Sequence, residues 1–369
     1  MRQSVREAGQ RLMVGFHGHE ASADVKKMIH DYGVGSVILF ARNVASPEQV
    51  AELVRELQAE ARAAGHDLPL LVSVDQEGGR VARMRAPWTE WPPLEALGRT
   101  GSEDLARQMG QALAEELRAC GIRLDFAPVV DVNTNPKNPI IGALGRSFGA
   151  DPDLVGRLGA AMIGGLQGSG VASCAKHFPG HGDTEVDSHL DLPSVEHSRS
   201  RLEEVELPPF RAAIQAGVAS IMTAHVLVRA LDEQWPATLS PRVIDGLLRR
   251  ELKYEGVIVS DDLEMKAVAK RWAPGPLAVL AARAGCDLLP VCATHDMQVE
   301  SLEGLVKAVE SGEISWKSMD EACGRMRRLK ERFLLPWTDP DPRAARAAAG
   351  AGERVALARE IAQGAGTLT

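Results

Sequence analysis

The chain has 369 residues, 45% hydrophobic and 25% charged, a composition that supports a large buried core and excludes disorder. Its 42 basic and 50 acidic residues give a net charge of -8, with no Lys/Arg cluster suited to tracking phosphates, so nucleic acid is excluded as a partner. No apolar run reaches the roughly 18–20 residues that span a bilayer, and MRQSVREAGQRLMV lacks the apolar stretch of a secretory signal; a cytoplasmic protein without a membrane partner is expected.

Strand and helix signals alternate along the chain. LMVGF (12–16) and SVILF (36–40) read as strands, then a helix over 47–64, the strand LPLLVSVD (68–75), a helix over 103–120 and the strand LDFAPVVDV (124–132). A helix over 151–168, the strand VASCAKHF (171–178), a helix over 203–216 and the strand ASIMTAHV (219–226) follow. The series closes with a helix over 241–251, GVIVSDD (256–262), a helix over 275–284 and CDLLPV (286–291). Ser-Pro, Asp-Pro and Ser-Glu pairs open several of the helices. Strands that are apolar almost throughout have both faces covered, and strand–helix repetition implies parallel pairing, so eight units predict a single (β/α)8 TIM-type barrel over residues 1–336. A doubly wound sheet is the alternative; no G-x-G-x-x-G follows the first strand, and polar residues collect at many strand ends instead of one crevice. Residues 337–369, rich in Ala and Arg, are expected to form a helical tail over the barrel surface. Cys120, Cys174, Cys286, Cys292 and Cys323 are odd in number and scattered, which predicts reduced, mostly buried thiols.

Asp75, Asp131, Lys176, His177, His225 and Asp261 all fall at C-terminal strand ends, the face on which such barrels build their sites. The densest segment is KHFPGHGDTEVDSHLDLP (176–193). One reading is a metal site from His177, His181, Asp183 and His189, but Pro179 and Gly180 forbid the helix on which an H-x-x-x-H pair would share a face. No metal or cofactor is expected. The other reading is acid–base chemistry: Asp187 and His189 flank Ser188, and a carboxylate beside an imidazole fixes its tautomer and stabilises its charged form. A plain loop salt bridge is the alternative. VIVSDDLEM ends the seventh strand in two carboxylates, one poised as a nucleophile at the barrel mouth, the other, or either, capping the following helix. Read alone, Glu77, Arg80 and Arg83 in a Gly-Gly turn are solvated charges, Lys176 pairs with an acidic neighbour, and His225 is either a hydrogen-bonded rim residue or a substrate contact. Trp88, Trp91, Trp316 and Trp337 read as packing.

Five motifs in order, VSVDQEGGRVAR (72–83), LGRSFG (144–149), KHFPGHGDTEVDSH (176–189), MTAHV (222–226) and IVSDDLEM (258–265), resemble the family-three glycoside hydrolases, in particular the single-domain β-N-acetylglucosaminidases of bacterial cell-wall recycling. The resemblance runs from about residue 10 to residue 335. It implies that Asp261 is the nucleophile, that His189 paired with Asp187 is the acid/base, and that Asp75, Arg83, Arg146, Lys176 and His177 grip the terminal sugar. It also implies a carbohydrate partner such as a muropeptide or chitooligosaccharide and retention through a glycosyl-enzyme; glycines 180 and 182, by their own backbone freedom, are expected to let the His189 loop close and open. A monomer is expected. Within the family, a phosphorylase or a plain β-glucosidase stands as the alternative; outside it, a metal-dependent hydrolase or a non-catalytic sugar-binding barrel.

Overall fold

A computed structural model describes residues 2–188 and 190–364. Helix α1 (Gln3–Gln10) leads into β1 (Leu12–Val14), and α2 (Ala23–Tyr32) into β2 (Ser36–Leu39). Helix α3 (Pro47–Ala63) precedes β3 (Leu71–Val74), α4 (Glu103–Ala119) precedes β4 (Leu124–Asp125), and α5 (Pro152–Gly168) precedes β5 (Ala172–Phe178). Then come α6 (Leu207–Gln215), β6 (Ser220–Thr223), a π-helix (Arg242–Glu251), β7 (Val257–Val259), α7 (Pro274–Ala284) and β8 (Leu289–Val291). All eight strands pair in parallel in chain order; β8 returns to β1 at Leu12↔Leu289 and Val14↔Val291, and a parallel bridge Val259↔Leu288 joins β7 to the start of β8. The sheet is therefore the closed (β/α)8 barrel that the alternating pattern predicts.

The helix starts obey their sequence signals. Ser46 Oγ accepts from Gln49 N at 3.2 Å with Pro47 opening α3, Ser102 Oγ accepts from Leu105 N at 3.2 Å, and Asp151 Oδ1 accepts from Asp153 N at 3.0 Å with Pro152 opening α5. The fourth strand is shorter than its apolar run of 124–132 predicts. Pro128 has no N–H for the ladder, so regular pairing stops at Asp125 and resumes only as the bridge Val129↔Lys176.

Alternation along the strands separates two apolar layers. Met13, Ile38, Leu71, Leu124, Ala172, Met222, Val257 and Leu288 fill the interior, while Leu12, Val14, Val37, Leu39, Val72 and Val74 belong to the layer shared with the helices. Two further helices follow β8, α8 (His295–Glu310) and α9 (Trp316–Leu334), and α9 presses Met326, Leu329, Phe333 and Leu334 into the interior cluster. That helix stoppers the barrel at the N-terminal ends of its strands, leaving the opposite end for a site. The Ala/Arg-rich segment forms α10 (Pro342–Ala348) and α11 (Gly352–Gly364), packed against α3 and α4. Gly350 N donates to buried Glu116 Oε1 at 2.8 Å, the oxygen that also takes Thr89 N and Oγ1, and Arg354 pairs with Glu115 at 2.7 Å. Trp88 and Trp91 are buried as packing residues, but Trp316, at the exposed first turn of α9, is 42% exposed and is not core.

Candidate active site

A cavity of about 470 Å³ opens at the C-terminal ends of the strands. Asp75, Arg83, Arg146, Lys176, His177, Asp187 and Asp261 all line it, joined by Glu77, His181, Ser188 and Asp262. Of the side chains implicated from sequence, His189 lies outside the described residues; the other seven converge here.

The floor of the pocket is a buried charge cluster. Asp75 closes β3, and the chain then turns into a hairpin of Gln76–Gly78 with Val81–Ala82, whose reversal uses Gly78 at φ 101° and Gly79 at φ 57°. Gln76 rivets it: Nε2 donates to Met84 O, and Oε1 accepts from Arg83 N at 2.9 Å and Met84 N at 3.0 Å. Glu77 is thereby turned inward, 1% exposed, and is not the solvated turn charge that its Gly-Gly context predicts. Arg146 meets it with a two-pronged grip, Nε and Nη2 each 2.8 Å from a different carboxylate oxygen, and Lys176 Nζ lies 2.7 Å from Oε1. Lys176 Nζ also donates to Asp75 Oδ1 at 2.8 Å, and Arg83 approaches Asp75 Oδ2 at 3.4 Å. Lys176 thus does pair with acidic neighbours, and does so inside the pocket.

Burial works against the charges of Glu77, Arg146 and Lys176, and the neighbours outweigh it. For Glu77 the adjacent Arg146 and Lys176 overcome desolvation and hold the carboxyl far below the usual carboxylate range. For Lys176 desolvation is overcome by Asp75 and Glu77, which raise its pKa above an ordinary lysine's. Behind them Asp125, fully buried and accepting from Gln76 N at 2.9 Å, is pushed well above its ordinary value by desolvation. Charge-neutral packing of Glu77, Asp75, Lys176 and Arg146 needed partners distant in sequence, which is why neither Glu77 nor Asp125 stands out in a linear reading.

The second layer is set by Asp131. Its carboxylate accepts from His177 Nδ1 at 2.7 Å and from the backbone N–H groups of His177 (3.2 Å) and His181 (2.7 Å). Burial raises its pKa, but His177 and the donated N–H groups win and keep it ionised. With Nδ1–H held, His177 presents Nε2 to the pocket, 3.5 Å from Arg146 Nη2. Of the remaining residues considered for a metal, His181 is engaged by Thr184 and Ser188, and Asp183 lies 2.6 Å from His197 Nε2. Among the described residues no three metal-binding side chains converge.

At the opposite wall, Asp261 and Asp262 divide their tasks. Asp262 Oδ1 accepts from Glu264 N at 3.1 Å and Cys292 N at 3.3 Å, capping a turn instead of the helix beyond it, and Asp261 Oδ1 accepts from Asp262 N at 2.9 Å. Burial, with Glu264 and Asp261 nearby, lifts the Asp262 carboxyl to about 7. His225 stands behind this turn, fully buried, with Nδ1 2.9 Å from Thr238 Oγ1 and Nε2 2.9 Å from Asp262 O, which makes it a hydrogen-bonded support of the turn. Gly182 is a close-packing glycine: a Cβ there would lie 1.8 Å from Val132 O, so its place is fixed by the wall behind it and not by hinge freedom. Among the described residues no helix is long and apolar enough to cross a membrane.

Residues 4–329 match the glycosyl hydrolase family 3 N-terminal domain. The chain belongs to this family. Within glycosyl hydrolase family 3 it is similar to the β-hexosaminidases: β-hexosaminidase A of Pseudoalteromonas piscicida is 36% identical over 84% of this chain, which spans 55% of that enzyme's length. Among solved structures, the family 3 β-N-acetylglucosaminidase of a Paenibacillus strain superposes with a TM-score of 0.91 at 44% identity, covering 99% of this chain and 69% of that one. NagZ from Neisseria gonorrhoeae, solved with N-trifluoroacetyl-D-glucosamine, superposes with a TM-score of 0.76 at 32% identity over 96% of this chain and 98% of its own.

Proposed function

We propose that this family 3 hydrolase is a retaining exo-β-N-acetylglucosaminidase that releases terminal β-linked N-acetylglucosamine from peptidoglycan fragments. The observation that carries the reading is the convergence of Asp261 and Asp187 on the same cavity as the buried cluster of Asp75, Lys176, Arg146 and His177. In this reading Asp75 accepts from sugar hydroxyls and Arg83, Arg146, Lys176 and His177 complete the grip on the non-reducing end. His189, paired with Asp187, protonates the glycosidic oxygen while Asp261 attacks the anomeric carbon; the C–O bond to the aglycone breaks as the aspartyl ester forms. Water, deprotonated by His189, then displaces Asp261 and releases the sugar with net retention. The similarity to a β-N-acetylglucosaminidase and to NagZ supports the N-acetylglucosamine specificity. Residues 1–336 are taken as the catalytic barrel and 337–369 as its helical cover, acting as a monomer in the cytoplasm, a location supported by five free cysteines.

The test is hydrolysis of an aryl N-acetyl-β-glucosaminide beside the plain β-glucoside, in phosphate-free buffer with excess chelator. Turnover of the first, with the β-anomer of the sugar released, is expected; turnover only with added phosphate, only with added zinc, or only of the glucoside overturns the reading.

A further inference from the structure

The loop after β5 is held by a network that the sugar grip does not explain. His181 is 1% exposed. Its Nδ1 lies 2.7 Å from Thr184 Oγ1, and its Nε2 lies 3.1 Å from Ser188 Oγ. Thr184 Oγ1 donates to His181 O at 3.3 Å and takes Asn138 Nδ2 at 3.1 Å, so its lone pairs face the imidazole and Nδ1 carries the proton. Nε2 is then left as an acceptor for the Ser188 hydroxyl. A neutral ring is what this arrangement requires, and burial, reinforced by neighbouring His177, lowers the His181 pKa to about 4. Asn138 fastens the same loop from outside: Nδ2 donates to His181 O at 2.7 Å, and Oδ1 takes the N–H groups of Ile140 and Ile141. Asp131, which orients His177, takes His181 N as well. On the far side Ser188 O accepts from Ala267 N at 3.2 Å.

Ser188 sits between Asp187 and His189 in the chain, and nothing in the reaction asks it to touch the substrate. A buried serine whose hydroxyl is spent on a buried, neutral histidine is a fixture of the backbone on either side of it. We propose that the hydrogen bond from Ser188 Oγ to His181 Nε2 is a latch that fixes the backbone at Asp187 and Ser188 beside the pocket, which makes His181 and Ser188 positioning residues for proton transfer to the leaving group. The inference rests on the reading of that loop as the acid/base. Because Asp131 holds both His177 and His181, the latch is keyed to the same carboxylate that sets the sugar-facing imidazole.

The experiment compares a 2,4-dinitrophenyl with a simple alkyl N-acetyl-β-glucosaminide, which need little and much acid assistance respectively. In Ser188→Ala, kcat on the alkyl glycoside should fall about tenfold, the worth of one buried hydrogen bond, with a loss under about threefold on the dinitrophenyl substrate and KM for both within about twofold. Ser188→Thr, which keeps the hydroxyl, should recover most of the lost rate, and the acidic and basic limbs of the pH–rate profile should move in Ser188→Ala but not in Ser188→Thr. Equal losses on both substrates, a wild-type rate on the alkyl glycoside, or an unmoved pH profile overturns the latch. His189→Ala and Asp187→Ala separate the two levels: leaving-group-dependent losses there with none in Ser188→Ala reject the latch alone, whereas leaving-group-independent losses in the loop variants reject the acid/base reading beneath it.

Discussion

Glu77→Gln removes the carboxylate that touches both Arg146 and Lys176 on the floor of the candidate pocket. Glu77 makes three contacts of 2.7–2.8 Å, two with Arg146 and one with Lys176. At an effective dielectric of about 20, a unit charge pair at 2.8 Å is worth about 6 kcal/mol, so two cations together forfeit about 12 kcal/mol of attraction when the charge is erased. The amide is cheaper to desolvate than a carboxylate, Lys176 keeps Asp75, and Arg146 keeps Ile140 O at 2.9 Å. Those recoveries bring the expected net cost into the range of about 3–5 kcal/mol found when one partner of a buried ion pair is deleted.

The pH dependence has a fixed sign. Because the folded carboxyl of Glu77 titrates far below the unfolded one, its contribution is fully present above the unfolded value near pH 4.3 and is lost as pH falls toward the folded value. Urea unfolding of wild type and Glu77→Gln at pH 7 and at pH 3.5 measures both terms: a deficit of about 3–5 kcal/mol at pH 7 that narrows at pH 3.5 is expected. A deficit below about 1 kcal/mol at pH 7, or one that widens on acidification, refutes the account of the cluster as a mutually stabilised charge network.

Asp261→Asn should lower kcat on the N-acetylglucosaminide by on the order of 10⁴-fold or more while the variant still unfolds at the wild-type temperature; a milder loss removes Asp261 as nucleophile. Gly182→Ala forces a methyl toward Val132 O, so its melting temperature should drop sharply along with kcat, whereas a glycine acting only as a hinge gives slower turnover on an equally stable fold. Lys330→Met should stabilise the protein. Burial lowers the Lys330 pKa to about 7 against Gln10 Oε1 as its hydrogen-bond partner, so the unfolded chain holds the proton between about pH 7 and 10.5, and wild-type stability rises across that window. The advantage of Lys330→Met is therefore greatest at and below pH 7 and shrinks toward pH 10; a variant less stable than wild type at pH 7 contradicts it.

The barrel was legible because its signals are local. Eight apolar runs, Ser-Pro and Asp-Pro helix starts and the absence of a glycine-rich first turn each act within a few residues. The fourth strand failed for an equally local reason, Pro128, whose missing N–H was visible but was read through. The site was legible where a residue stands at a strand end: Asp75, Lys176, His177 and Asp261 need only the direction of the barrel to be placed. Glu77 was misjudged because its inward turn depends on Gln76 fastening residues 83 and 84, and on Arg146 arriving from a loop that follows β4. His181 stood out in the sequence only as a metal candidate, and nothing linear pointed to its bond with Ser188, which spans a turn whose geometry is set by Thr184 and Asn138.

The distribution of charge in the pocket bears on the proposed reaction, in which one barrel mouth would hold a neutral sugar and present Asp261 as its nucleophile. Lys176 pairs with both Asp75 and Glu77, and Arg146 grips Glu77, so the charge of both cations is met inside the cluster. A nucleophile placed beside a free lysine would be stabilised as a bound anion and lose reactivity. In the proposed reaction an arriving sugar would meet hydrogen-bond donors and acceptors already fixed in direction, which keeps reorganisation at the moment of reaction small. The energetic burden falls on the fold, which carries Lys176 at 2% exposure and Glu77 at 1%. Loss of one carboxylate should therefore appear first in stability and only second in KM, an order that a merely surface-bound ring of charges would reverse.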